Sequence, residues 1–161
     1  MYSKILVAVD GSESADRALA ESLLLAATMG SELTVVHVID NSYLRYEVGY
    51  AADLRASLLA DGQTLLDEAK AKAAAQQVTC KALMVDKAQS LGDVASAIEQ
   101  VAEQTGAELL VLGTHGRRGV RRLLMGSVAE TLVRQCHQPV LLVQAPLAVL
   151  DPVVVGSVVA I

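Results

Sequence analysis

The chain contains neither Trp nor Phe, and four tyrosines are all the aromatic side chains it has. Its core must therefore be aliphatic, packed from Val, Leu, Ile and Ala. Cysteine is nearly as scarce. Cys80 and Cys136 stand far apart and match neither a metal-ligand spacing nor a redox pair, so they read as two small buried or half-buried thiols. Long apolar runs are missing too: no uninterrupted segment reaches the roughly 18 residues of a spanning helix, and no membrane insertion is expected. Met1-Tyr-Ser-Lys4 leads straight into a strand-like run and leaves no room for a secretory signal, which makes the cytoplasm the expected compartment.

Several catalytic signatures are absent as well. There is no Gly-x-x-x-x-Gly-Lys-Ser/Thr loop, no Gly-x-Gly-x-x-Gly after the first strand, no Gly-x-Ser-x-Gly elbow and no His/Cys cluster at metal spacing. No metal site made by the protein alone is expected, and no general base is evident near a phosphate. A net charge of -5 argues against broad nucleic-acid binding.

What is present fits a single domain. The 161 residues are 53% apolar, enough to bury a sizeable core without disulfides or metal. Lys4-Ile-Leu-Val-Ala-Val-Asp10 is a nearly continuous apolar run, as in a strand covered on both faces. After Asp10-Gly11-Ser12, Leu19, Leu23, Ala26 and Ala27 recur at helical spacing and Gly30 supplies a stop. Residues 33–39 form a second strand, and 40–49 a polar connection. A helix follows over about 51–76, with Leu54, Leu58, Leu65, Leu66 and Ala69 on its apolar face; Gly62 makes a break or bend a candidate there. Residues 78–85 suit an edge strand because Thr79 and Lys81 interrupt it. Ser90-Leu-Gly-Asp93 signals a helix start of the Ser-x-x-acid kind, and that helix runs through Ile98, Val101 and Ala102 to Gly106. A fourth strand over 108–112, a helix after Ser127, a stop at Pro139 and a fifth strand over 140–143 complete the alternation. Short apolar strands alternating with helices predict an α/β fold, a parallel sheet with helices on both faces.

In such sheets, ligands bind outside the carboxyl ends of the strands. Asp10, Val38 with Asp40, and Gly113-Thr-His115 fall on that edge, and Gly126-Ser127 opens the last helix. Between them lie Gly116 and four arginines, Arg117, Arg118, Arg121 and Arg122. A strand, a glycine-rich basic loop and a helix start make an anion site, because the first N–H groups of a helix lack partners and carry partial positive charge. Bland readings stand beside this one. Asp10 can be a turn or capping residue, Ser127 with Glu130 a capping box, Gly113 and Gly116 turn glycines, and the arginines a solvated face. His115 reads as a hydrogen-bonding loop residue and His37 as a satisfied core histidine. Convergence on one edge favours a site.

Gly113-x-x-Gly116, nine residues, then Gly126-Ser127 resembles the nucleotide-binding motif of the universal stress protein family, in its ATP-binding subgroup. The opening Ile5-Leu-Val-Ala-Val-Asp10-Gly-Ser, Val36-His-Val38 and Gln138-Pro-Val-Leu-Leu-Val143 extend the resemblance over residues 1–144. It implies a Rossmann-like open sheet of five parallel strands in the order 3-2-1-4-5. It also implies a regulatory protein that binds ATP (or AMP or ADP) as a switch, with Mg2+ held mainly by the phosphates and at most weak ATP hydrolysis. Ala8, Val9 and Asp10 would lie along the adenosine, and the Val38 backbone would meet the adenine. Leu112, Gly113, His115 and Gly116 would follow the ribose and first phosphates, and Gly126, Ser127 and Val128 would hold the outer ones. The chain departs from the family at Ala8, often proline, and at Ala129, a hydroxyl in some members. A homodimer or higher homo-oligomer is implied, and a regulatory protein partner such as a transporter or sensor is the alternative centre of function. The apolar residues 145–161 depart from the family's usual ending; they read either as an oligomerisation arm or as a frayed terminus.

Overall fold

A computed structural model of the chain describes residues 1–40, 51–86, 93–115 and 125–145. In chain order these form β1 (Lys4–Ala8), α1 (Glu13–Met29), β2 (Glu32–Ile39), α2 (Ala51–Ala75), β3 (Cys80–Asp86), α3 (Val94–Thr105), β4 (Leu109–Gly113), α4 (Ser127–Gln135) and β5 (Val140–Val143). All five strands pair in parallel, in the order β3-β2-β1-β4-β5. β3 is an edge strand, as Lys81 within it and Thr79 just before it suggest.

Strand alternation divides the core in two. Ile5, Val7, Val9, Leu33, Val35 and Val111 face α1 and α2, whereas Leu6, Val36, Leu110 and Leu112 face α3 and α4. Both layers are aliphatic, as the missing Trp and Phe require. Each fully buried Leu or Val contributes on the order of 1.5–3 kcal/mol. Cys80 and Cys136 are free and half-buried, and burial pushes both thiols above their ordinary range. No helix among the described residues is long and apolar enough to cross a membrane.

Four expectations change. Ala27 is exposed on α1, and Ser22 is buried in the face instead, its hydroxyl donating to the Ala18 carbonyl at 2.7 Å. Leu54 is exposed because α2 has 25 residues, about 37 Å of helix, and outruns strands of about 25 Å. α2 runs unbroken through Gly62, where a Cβ would stand 2.8 Å from Cδ2 of His37; the glycine serves close packing, not a bend. The third helix starts at Val94, with Asp93 as its N-cap accepting from the Ser96 N–H at 2.9 Å. The acid of the predicted Ser-x-x-acid box is itself the cap, and Ser90 lies outside the described residues.

Candidate functional site

β1 and β4 are neighbours, but β1 continues into α1 on one face and β4 leads towards α4 on the other. In open α/β sheets the ligand crevice lies between such carboxyl ends, at the point where strand order reverses. Three groups of residues border it.

The first is the start of α1. The Asp10 carboxylate accepts the Ser12 N–H at 3.0 Å, closing an Asx turn over Gly11, whose φ of 78° suits glycine. Ser12 caps α1 by accepting the Ala15 N–H at 3.3 Å, and its hydroxyl donates to the His115 carbonyl at 3.2 Å. Ser14, 2% exposed, donates to the same carbonyl, and its oxygen accepts the His115 N–H at 3.4 Å. Gly113 makes this contact feasible: a Cβ there would lie 2.5 Å from Ser14 Oγ and 2.7 Å from the Ser14 carbonyl carbon. The need for glycine at 113 is thus explained by helix–strand packing. Ser14 was not singled out by the sequence, because a serine in a helix's first turn carries no signal of its distant partner.

The second is the start of α4. Thr114 donates its N–H to the Val143 carbonyl at 2.9 Å, and its carbonyl accepts the Gly126 N–H at 2.7 Å, so the strand end anchors the helix start. Gly126 is the N-cap residue and, lacking a side chain, makes no side-chain cap. Ser127 is exposed and is the first helical residue. Among the described residues its hydroxyl has no hydrogen-bond partner. The predicted Ser127–Glu130 capping box does not form. Ser127 sits one place too late to cap, and Glu130 pairs instead with Arg134 at 2.9 Å. The N–H groups of Ser127, Val128 and Ala129 have no acceptor among the described residues.

The third is the end of β2. Val9 donates its N–H to the Val36 carbonyl at 2.9 Å, the last backbone bond from β1 to β2. The Val9 carbonyl is then met by Nδ1 of His37 at 2.8 Å. His37 is buried, as a satisfied core histidine should be. Even-numbered residues of β2 direct their backbone groups towards β1, so Val38 points its N–H and C=O past the end of β1. Neither finds a partner there among the described residues.

The side chains of Val9 and Leu112 are buried in the core, at 4% and 3% exposure, so they can offer a ligand only backbone. Ala8 and Val38 are half-buried on the α3 face. Asp10 and Val128 are half-buried too. His115 bonds Thr114 Oγ1 through Nδ1 at 2.9 Å and has a buried Nε2 with no partner among the described residues. The predicted site residues therefore gather on one edge, except that Gly116 and the four loop arginines lie outside the described residues. No group of three or more His, Cys, Asp or Glu able to hold a metal occurs among the described residues. Open backbone donors on one side and an open backbone donor–acceptor pair on the other can hold an anion and a heterocycle.

The chain matches the model of the universal stress protein family over residues 1–144. It is 32% identical over 148 residues to universal stress protein MJ0531 of Methanocaldococcus jannaschii, covering 91% of this chain and 84% of that protein. Its fold is similar to the solved structure of MJ0577 from the same organism, with a TM-score of 0.81 and 27% identity over 91% of this chain and 98% of that one. A universal stress protein family structure from Arabidopsis thaliana with AMP bound is similar in fold, with a TM-score of 0.65 and 24% identity over 89% and 92% of the two chains.

Proposed function

The chain belongs to the universal stress protein family, and from that premise we propose that it binds an adenine nucleotide, ATP or its AMP and ADP relatives, in the crevice between β1 and β4. The observation that carries this reading is the start of α4, uncapped and directly behind the second half of the Gly113-x-x-Gly116-nine-residue-Gly126-Ser127 spacing. In this reading Ser127 and the first N–H groups of α4 take the outer phosphates. Gly113, His115 and Gly116 follow the ribose and inner phosphates, and Asp10, Ala8 and the Val38 backbone take the nucleoside. The AMP of the Arabidopsis structure belongs to that protein; here it suggests a ligand to test. Mg2+ would be held mainly by the phosphates, with residual positions filled by water.

The groups gathered at the phosphate end are N–H donors and a hydroxyl, suited to binding rather than to proton abstraction. The nucleotide acts as a switch, and hydrolysis is slower than about 1 per second, the low end of ordinary turnover. The switch works in the cytoplasm, in a homodimer or higher homo-oligomer of the 1–144 domain, with residues 145–161 as an oligomerisation arm. A regulated partner protein is compatible with the same switch.

The test begins with the protein as purified. Denaturation should release ATP, ADP or AMP, and calorimetry on nucleotide-free protein should give saturable ATP binding. Gly126→Val should abolish that binding with the fold intact, since its side chain would stand where the phosphates approach. Wild-type affinity in this variant overturns the assignment.

A further inference from the structure

We propose that His37 is a positioning residue for base recognition, holding the Val9 carbonyl so that the backbone N–H and C=O of Val38 stay open to the ligand. The proposal rests on the adenine-nucleotide reading of the crevice. In an uninterrupted parallel ladder, the Val9 N–H bond to Val36 would be followed by a bond from the Val38 N–H to the Val9 carbonyl. That second bond is missing, and Nδ1 of the intervening His37 lies 2.8 Å from the Val9 oxygen. A carbonyl only accepts, so Nδ1 carries the proton. The side chain has taken the place of the next rung.

The ring is held there from two sides. α2 passes so close that a Cβ on Gly62 would lie 2.8 Å from Cδ2 and 3.2 Å from Nε2 of His37, and 3.3 Å from the Met84 methyl. The ring also borders a recess of about 260 Å3 shared with Asp10 and Asp61, and Nε2 has no partner among the described residues. The Val9 carbonyl thus fixes the ring, and the ring fixes the carbonyl. Remove the donor, and the carbonyl at the buried strand end needs another. The nearest in register is the Val38 N–H, and its capture would extend the ladder and close the edge.

An adenine presents an amino donor beside a ring-nitrogen acceptor, which one residue's C=O and N–H can match. Hypoxanthine carries a carbonyl where adenine has the amino group, so ITP keeps the phosphates and loses the match. This isolates the base edge from the phosphate site.

The experiment compares ATP and ITP affinities by calorimetry for wild type, His37→Leu and His37→Asn. Exchange of the Val38 amide proton is followed by NMR in the same nucleotide-free proteins. Wild type should favour ATP about tenfold, the worth of roughly one hydrogen bond. His37→Leu should erase most of that preference and slow Val38 exchange; His37→Asn, whose Nδ2 occupies the position of the imidazole Nδ1, should restore both. An unchanged preference and unchanged exchange in His37→Leu overturn the proposal. So does a failure of His37→Asn to restore them. Wild type that binds neither nucleotide overturns the nucleotide reading alone, and the exchange rates then decide whether His37 keeps the amide open. If His37→Leu does not fold, Gly62→Ala carries the test: crowding the ring should narrow the ATP preference, and an unaltered ratio overturns the proposal.

Discussion

Two helices, α1 and α4, start at the same edge of the same sheet and finish their N-termini in opposite ways. α1 begins at a serine whose hydroxyl accepts the Ala15 N–H, with Glu13 and Asp16 in the first turn, and its Ser12 and Ser14 hydroxyls are tied to the His115 carbonyl. α4 begins at a glycine that caps nothing, and Ser127 faces outward. Both starts carry the same partial positive charge from their backbone. What differs is whether a capping side chain has already answered it: α4 also has an acid in its first turn, but Glu130 pairs with Arg134 and caps nothing. At α3, too, Asp93 answers it. Of these three starts, the one without a side-chain cap follows the glycine-spaced loop, so α1 is a structural anchor and α4 is the start to which the proposed function assigns the anion.

That contrast can be broken from either side. The largest effect is expected at Gly113, where the anchor is tightest. Gly113→Val drives a side chain into the Ser14 backbone and should cost about 3 kcal/mol of stability, read by urea unfolding. A loss below about 1 kcal/mol would mean that α1 is not pinned as described. Gly126→Asp makes α4 begin as α1 and α3 do. It should leave the fold as stable or a few tenths of a kcal/mol more so, while ATP affinity falls at least about tenfold, because the new carboxylate occupies the anion's donors. Undiminished affinity here would separate the phosphates from α4. Ser12→Ala uncaps α1 and should cost about 1 kcal/mol in thermal unfolding, with ATP affinity reduced less than about threefold. The smallest change belongs to Ser127→Ala, about fivefold weaker ATP binding in calorimetry at unchanged melting temperature. A fall in melting temperature instead would return Ser127 to a capping role.

Much of this was legible in the residues. Continuous apolar runs marked buried strands, Gly30 marked the end of α1 (its φ is 70°), and Ile98, Val101 and Ala102 marked the buried face of α3. The strand order came from the resemblance to a family, since alternation says that strands are parallel and not which lie side by side. The errors have a common source. Ala27 and Leu54 follow helical spacing, but Ala27 lies off the buried stripe of Ser22, Leu23 and Ala26, and Leu54 lies where α2 outruns the sheet. Ser127 and Glu130 have the spacing of a capping box, yet the box needs the serine outside the helix, and the anchoring of Gly126 by Thr114 puts it inside. Gly62 looked like a break and is a contact.

For the stretch from Gly113 to Ser127, the ingredients are local: glycines at family spacing, a serine at a helix start and a strand before it. Local chemistry is enough for these, because propensity, capping types and apolar runs act over a few neighbouring residues. Tertiary structure alone decided their use. Only the packing of α1 on β4 ties the Ser12 and Ser14 hydroxyls to the His115 carbonyl, and only the Thr114–Gly126 bond sets Ser127 inside α4. Only the approach of α2 to β2 sets the His37 ring on the Val9 carbonyl and leaves Val38 open. Both outcomes depend on groups distant in sequence meeting within hydrogen-bond reach, and no pattern along the chain encodes that distance.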